Sequence, residues 1–90
     1  MPTAGELRRV VALLDDAGRL RRFSLTRHAR QRMQERRVSV NDVAHGLATS
    51  TNATPNGPPS SKWRVDTSHL DGDELTLAVD VYGVVVVTVF

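Results

Sequence analysis

The chain has no cysteine, which excludes disulfide scaffolds, zinc–thiolate centres and thiol nucleophiles together. Its three histidines, His28, His45 and His69, stand too far apart for a local metal-ligand spacing, so neither a metal nor another cofactor is expected. Long apolar runs are missing as well. The run Val84–Val87 falls far short of the roughly 20 residues a membrane span requires, and it fits a buried strand instead. Met1-Pro2-Thr3-Ala4-Gly5-Glu6 lacks the basic-then-apolar order of a secretory leader, and the expected location is the cytoplasm.

Lysine is nearly absent too: eleven of the twelve basic residues are arginine. Arginine offers a planar fork that matches phosphate and carboxylate, where lysine is a compact point charge. A net charge of only +2 conceals a lopsided distribution. Up to residue 37 there are ten arginines against four acidic residues, a balance of +6; from residue 38 onward two basic residues face six acids, a balance of −4. A high-GC genome, which favours Arg codons, is one explanation for the choice of arginine, but asymmetry between the halves points to a polyanion or an acidic protein partner.

With 90 residues, 40% hydrophobic and 24% charged, the composition is that of one globular domain. A chain this short buries roughly 60–65% of its unfolded surface, enough for one modest core and no deep internal cavity. Thr3 with Glu6 forms a capping-box pattern, Leu7, Val10, Val11 and Leu14 follow at helical spacing, and Gly18 is a natural stop. The connection around Phe23 reads as extended, with the potential to be an edge strand. Thr26 caps a second helix running to about Arg37, and Ser39 with Asp42 opens a third. Residues 51–61, with three prolines, one glycine and no charge, read as an exposed loop.

Three strands follow. Trp63, Val65 and Thr67 alternate with polar neighbours, as do Leu75, Leu77, Val79 and Val81. Leu70-Asp71-Gly72-Asp73 is a turn, Tyr82-Gly83 a two-residue reversal, and Val84–Phe90 the best central strand. The expected fold is α+β: N-terminal helices packed on a small antiparallel sheet, a meander of three or four strands. Residues 1–90 form one domain, divided into a first helix and connection (1–23), two helices (24–50), the loop (51–61) and the sheet (62–90).

The second helix carries the chemistry. His28, Arg32 and Arg36 are spaced i, i+4, i+8, a stripe that drifts only about 40° per step, beside Leu25, Ala29 and Met33 on the core side. Two guanidinium groups one turn apart can hold a phosphate and stabilise charge that builds on it. A neighbouring imidazole can move a proton at neutral pH. Together they suit attack of a ribose 2′-hydroxyl on its own phosphate without a metal. The same set also suits plain binding of RNA or of an acidic helix, or an ion-pair network with Asp66 or Asp80. Catalysis needs an open cleft free of carboxylates; binding recruits Arg27, Arg30 and Arg37 as a broad patch. His69 in a turn, His45 beside Ala44 and Leu47, Tyr82 beside Gly83 and Trp63 in the core are read as structural.

The run Leu25-Thr26-Arg27-His28-Ala29-Arg30-Gln31-Arg32-Met33-Gln34-Glu35-Arg36-Arg37-Val38-Ser39 resembles a family of small, mostly uncharacterised bacterial proteins. Their signature is a Thr-x-His-Ala-x-x-Arg-Met-x-x-Arg helix, then a second helix and a sheet with a Val-Val-Thr-Val-like last strand, here Val86-Val87-Thr88-Val89. The resemblance covers residues 24–90 and leaves the first helix outside. It extends to RelE-type toxins and barnase-like, metal-free ribonuclease domains. By that resemblance His28 is the acid/base, Arg32 and Arg36 are phosphate clamps, and Thr88 is a strand residue near the site. It implies a toxin-like endoribonuclease that needs no metal, acting on free or ribosome-bound RNA. The alternative is a non-catalytic module that binds nucleic acid, or an acidic protein such as an antitoxin. A Tyr82-Gly83 reversal sets Thr88 beside Leu77 on an apolar face, and a one-residue shift of register reverses that. An edge strand such as Trp63–Thr67 has the means to pair in a dimer.

Overall fold

The computed structural model describes residues 3–55 and 62–90. In chain order its elements are α1 (Ala4–Leu20), β1 (Ser24–Leu25), α2 (Arg27–Arg36), α3 (Val40–Ala48), β2 (Ala53–Pro55), β3 (Lys62–Ser68), β4 (Glu74–Asp80) and β5 (Val85–Val89). The fold is α+β with the helices N-terminal, as the sequence implies, but among the described residues the sheet has five strands rather than three or four. Their order is β1-β5-β4-β3-β2, with β1 parallel to β5 and the other neighbours antiparallel.

Each helix starts on a hydroxyl that answers an otherwise unpaired backbone N–H. Thr3 Oγ1 accepts from Glu6 N (3.1 Å), and Thr26 Oγ1 accepts from Ala29 N (3.0 Å). Ser39 and Asp42 complete a reciprocal capping box on α3. The ends were less legible. α1 runs past Gly18 to Leu20 and closes on Arg21 in the left-handed region (φ 53°). α2 closes the same way on Arg37 (φ 55°), whose conformation lets Val38 N–H donate back to Met33 O (2.8 Å).

Gly18 is therefore not a stop but a point of close approach between α1 and α3. A β-carbon there would lie 2.4 Å from Ala48 N and 2.5 Å from Ala44 O. Beside that seam the buried Ser50 hydroxyl donates to Asp15 (3.1 Å). Burial nonetheless pushes the Asp15 carboxyl above its ordinary value.

The proline-rich stretch is likewise not wholly loop. Ala53–Pro55 pairs with β3 as the outermost strand, where a proline without an N–H is tolerated; Thr51 and Asn52 precede it as exposed chain, and residues 56–61 of that predicted loop lie outside the described residues. The extended connection near Phe23 does supply a strand, β1, docked on β5 through Ser24↔Val85 and Leu25↔Val86. β5 is thus second from the edge, and β4 holds the centre.

All three helices send side chains to one face of the sheet. Leu14, Val43 and Leu47 meet Val65, Leu77, Val79, Val86 and Val89, all fully buried. The opposite face carries Arg64, Asp66, Thr76, Ala78 and Asp80 at alternate positions. The β4–β5 reversal has the register expected of Tyr82-Gly83 at Asp80↔Val85 and Val79↔Val86. A bulge then inserts Val87, so Thr88 pairs with Ala78 instead of Leu77. That single residue moves Thr88 off the core face.

Candidate functional site

α2 is pinned by four side chains of its motif. Ala29 and Met33 are buried in the core. Thr26 Oγ1 donates to Val87 O (2.7 Å), besides capping the helix. Arg32 Nε donates to Val89 O (3.4 Å). β1 pairs only with Val85 and Val86, so beyond Val86 this edge of β5 has no neighbouring strand among the described residues, and α2 side chains answer its carbonyls. Thr, Ala, Arg and Met of the motif therefore hold the helix against the sheet edge.

Arg32 has a second partner. Its Nη1 lies 3.1 Å from Glu35 Oε2, and Gln31 Nε2 reaches the other oxygen of Glu35 at 3.4 Å. Arg32 is therefore ion-paired, but to a partly exposed Glu35 on its own helix and not buried against Asp66 or Asp80. Asp66 pairs with Arg64 (3.2 Å), and Asp80 accepts from Tyr82 N (3.0 Å). The i, i+3 spacing of Arg32 and Glu35 is the signal that could have found this pair.

His28 and Arg36, the other members of the proposed catalytic set, are exposed. Neither has a hydrogen-bond or ion-pair partner among the described residues. Thr88 is half-buried on the sheet face turned away from Ala29 and Met33, and no hydrogen bond joins it to α2 among the described residues. The structure brings His28 and Arg32 onto one flank of α2 and leaves Thr88 apart from them.

Arg27, Arg30 and Arg37 occupy the other flank. Arg27, Arg30 and Gln34 fall within about 60° of the helix circumference at 100° per residue, and Arg37, the left-handed C-cap, lines the same hollow as Arg30 and Gln34. All three arginines are exposed, with no acidic partner among the described residues. Arg30, Gln34, Arg37 and the exposed Val40 rim a hollow of about 490 Å³, whose floor is Leu25, Met33 and Val38. None of its lining residues is acidic.

A second polar cluster sits at the start of α3. Asp42 accepts from Ser39 N, Ser39 Oγ and Leu70 N at 2.9–3.2 Å, and His69 Nδ1 approaches it to 3.8 Å. The backbone hydrogen bond from Ser39 is the main reason that its carboxyl is held below the ordinary 3.8. A depressed carboxylate adds stability that is fully present above the unfolded value and lost as pH falls through the folded one. Asp42→Asn is therefore expected to cost about 1 kcal/mol at pH 6 and progressively less below pH 4, measured by urea unfolding across pH. A gap that stays constant down to pH 2 contradicts this account. Chemically the cluster ties the β3–β4 turn to α3, since the Ser39 hydroxyl is spent on Asp42 rather than on His69.

Residues 25–90 match the family described as Domain of unknown function (DUF4258). The chain belongs to that family. No curated protein and no solved structure matches it. The DUF4258 region contains α2, the hollow, Asp42 and the sheet from β2 to β5, while α1 lies outside the matched residues. Among the described residues of the chain there is no group of three or more His, Asp or Glu able to hold a metal ion. No helix among them is long and apolar enough to cross a membrane.

Proposed function

We propose that this DUF4258 domain binds RNA along α2. One observation carries the reading: Arg27, Arg30, Arg36 and Arg37 are exposed cations without an acidic partner among the described residues, and three of them share a flank beside a hollow that no carboxylate lines. Guanidinium groups left unpaired by the protein itself are suited to a polyanion, whose phosphates accept their forked donors in pairs. Restraint of α2 by Thr26, Ala29, Arg32 and Met33 presents these cations from a rigid element, so little order has to be gained on binding.

Metal-free cleavage is the second reading, favoured by the exposed imidazole of His28 one turn from Arg32. It departs from an open, carboxylate-free cleft, because Glu35 already engages Arg32. That ion pair is about half exposed, however, and such pairs are worth roughly 0.2–1 kcal/mol. A phosphate could displace it at small cost. In this reading His28 takes the proton of a ribose 2′-hydroxyl as that oxygen attacks the adjacent phosphorus, Arg32 and Arg36 hold the phosphate, and the 5′-oxygen departs, taking a proton from water and leaving a 2′,3′-cyclic phosphate. Kinship with RelE-type toxins belongs to this reading, and so does an acidic antitoxin-like partner for the same arginines.

The experiment is a titration of fluorescently labelled single-stranded RNA with the purified protein in EDTA, with the RNA afterwards run on a denaturing gel. The binding reading expects saturable binding. Absence of binding at low salt contradicts it. If cleavage occurs, His28→Ala is expected to remove it and leave affinity and melting temperature unchanged; retained cleavage by that variant rules out His28 as the proton-transfer group.

A further inference from the structure

We infer that the hollow between α2 and α3 seats one unstacked base of the bound strand, so that the domain prefers single-stranded RNA to duplex. The inference rests on the RNA reading above and deepens it. Arg30 and Arg37 stand on the same flank of α2, about two turns apart, and the hollow opens between them. A backbone that engages both guanidinium groups must pass over that opening.

What the strand meets there is apolar. Met33 and Val38 form a buried floor, and Val40, the first residue of α3, remains 47% exposed at the rim. Phosphate gains nothing from such a surface, whereas the face of a base does. At about 490 Å³ the hollow lies in the range of small-ligand clefts, about 300–1,000 Å³. Gln34 adds an amide able both to donate to and to accept from a base edge. The guanidinium planes of Arg30 and Arg37 supply further flat surfaces against which a splayed base stacks, a role that aromatic side chains fill in other RNA-binding domains.

The bases of an A-form duplex are stacked and paired, so a duplex meets the arginines but leaves the hollow unused. Charge favours RNA over an uncharged ligand, since the rim carries two cations and the lining has no anion. An acidic peptide with an apolar anchor satisfies the same charges, and the test separates it.

Fluorescence anisotropy at one salt concentration compares a short RNA strand, the duplex it forms with its complement, and a leucine-containing glutamate-rich peptide. The strand is expected to bind wild type about tenfold more tightly than the duplex, the scale of one stacked base. Val40→Asn, a neutral change at an exposed position, is expected to narrow that ratio severalfold while duplex affinity and melting temperature stay put. Equal affinity for strand and duplex, or a ratio that Val40→Asn leaves unchanged, overturns the base-seating inference and leaves the RNA reading standing. Failure of both RNAs to bind overturns both. Tighter binding of the peptide than of the strand assigns the hollow to a protein segment and also overturns the inference.

Discussion

Gly18→Ala is expected to destabilise the domain by about 3 kcal/mol or more, at the upper end of the cost of forcing an extra methyl into a packed seam. For a domain of this size that is a fall in melting temperature of about 12–24 °C. The reason lies in what the new β-carbon meets. Two of its three nearest atoms are backbone, Ala48 N at 2.4 Å and Ala44 O at 2.5 Å, and the third is Leu47 Cβ at 2.9 Å. No side-chain rotation relieves such contacts, so α1 must lift away from α3. That lift loosens Leu14, which is fully buried, and Ala17, almost fully so, in the same core. Gly5→Ala provides the control. Its β-carbon comes no closer than 3.9 Å to Thr3 Oγ1, and in a solvent-facing first turn the change is expected to stabilise by about 0.5–1 kcal/mol. Thermal melts of the two variants check the pair. Similar small shifts for both would mean that α1 and α3 do not cross at Gly18.

The second large effect concerns binding. Combined replacement of Arg27, Arg30 and Arg37 by Gln is expected to lower affinity for single-stranded RNA by roughly a hundredfold at low salt, the sum of three phosphate contacts, each sensitive to counterion release. Fold and stability should survive, because none of the three has an ion pair among the described residues. Arg32→Gln has a different signature. Its guanidinium group is tied to Val89 O and Glu35, so the loss should fall on stability, by about 1 kcal/mol, more than on affinity. A triple variant that binds as tightly as wild type would remove this flank of α2 from the interface.

The parts of this account that were legible in the sequence are those set by local chemistry. Thr26 and Ser39 had to cap helices because their hydroxyls precede apolar residues at helical spacing. The alternation of Trp63 with Val65 and of Leu75 with Leu77 and Val79 announced β3 and β4 and the face each buries. What stayed hidden depends on contacts between distant residues. Arg21 and Arg37 adopt the left-handed conformation that a reader of sequence assigns to glycine, while Gly18, which looked like that glycine, is used for helix–helix approach. Pro55 disguised an edge strand. The bulge at Val87 leaves no signature in a run of valines, yet it decides which face of the sheet Thr88 occupies.

The candidate site divides along the same line. Grouping of Arg27 and Arg30 on one flank follows from helix geometry alone, whereas Arg37 joins them at the hollow from the left-handed cap. The role of Arg32 does not, because Val89 lies 57 positions away in the chain. From the motif alone Thr26, Ala29, Arg32 and Met33 look as functional as His28; in the fold they hold α2 to the edge of β5. The hollow was invisible for a similar reason, since its floor joins α2 to Val38 and Val40 across the turn between two helices.

Affinity for a short single-stranded RNA, measured in EDTA as a function of salt, tests the central claim most directly. If α2 grips phosphates through Arg27, Arg30 and Arg37, the logarithm of the association constant falls linearly with the logarithm of salt with a slope of about −2, at about −0.7 per phosphate on a single strand. Affinity that is indifferent to salt, or no detectable binding even at the lowest salt, contradicts an interface built from those arginines.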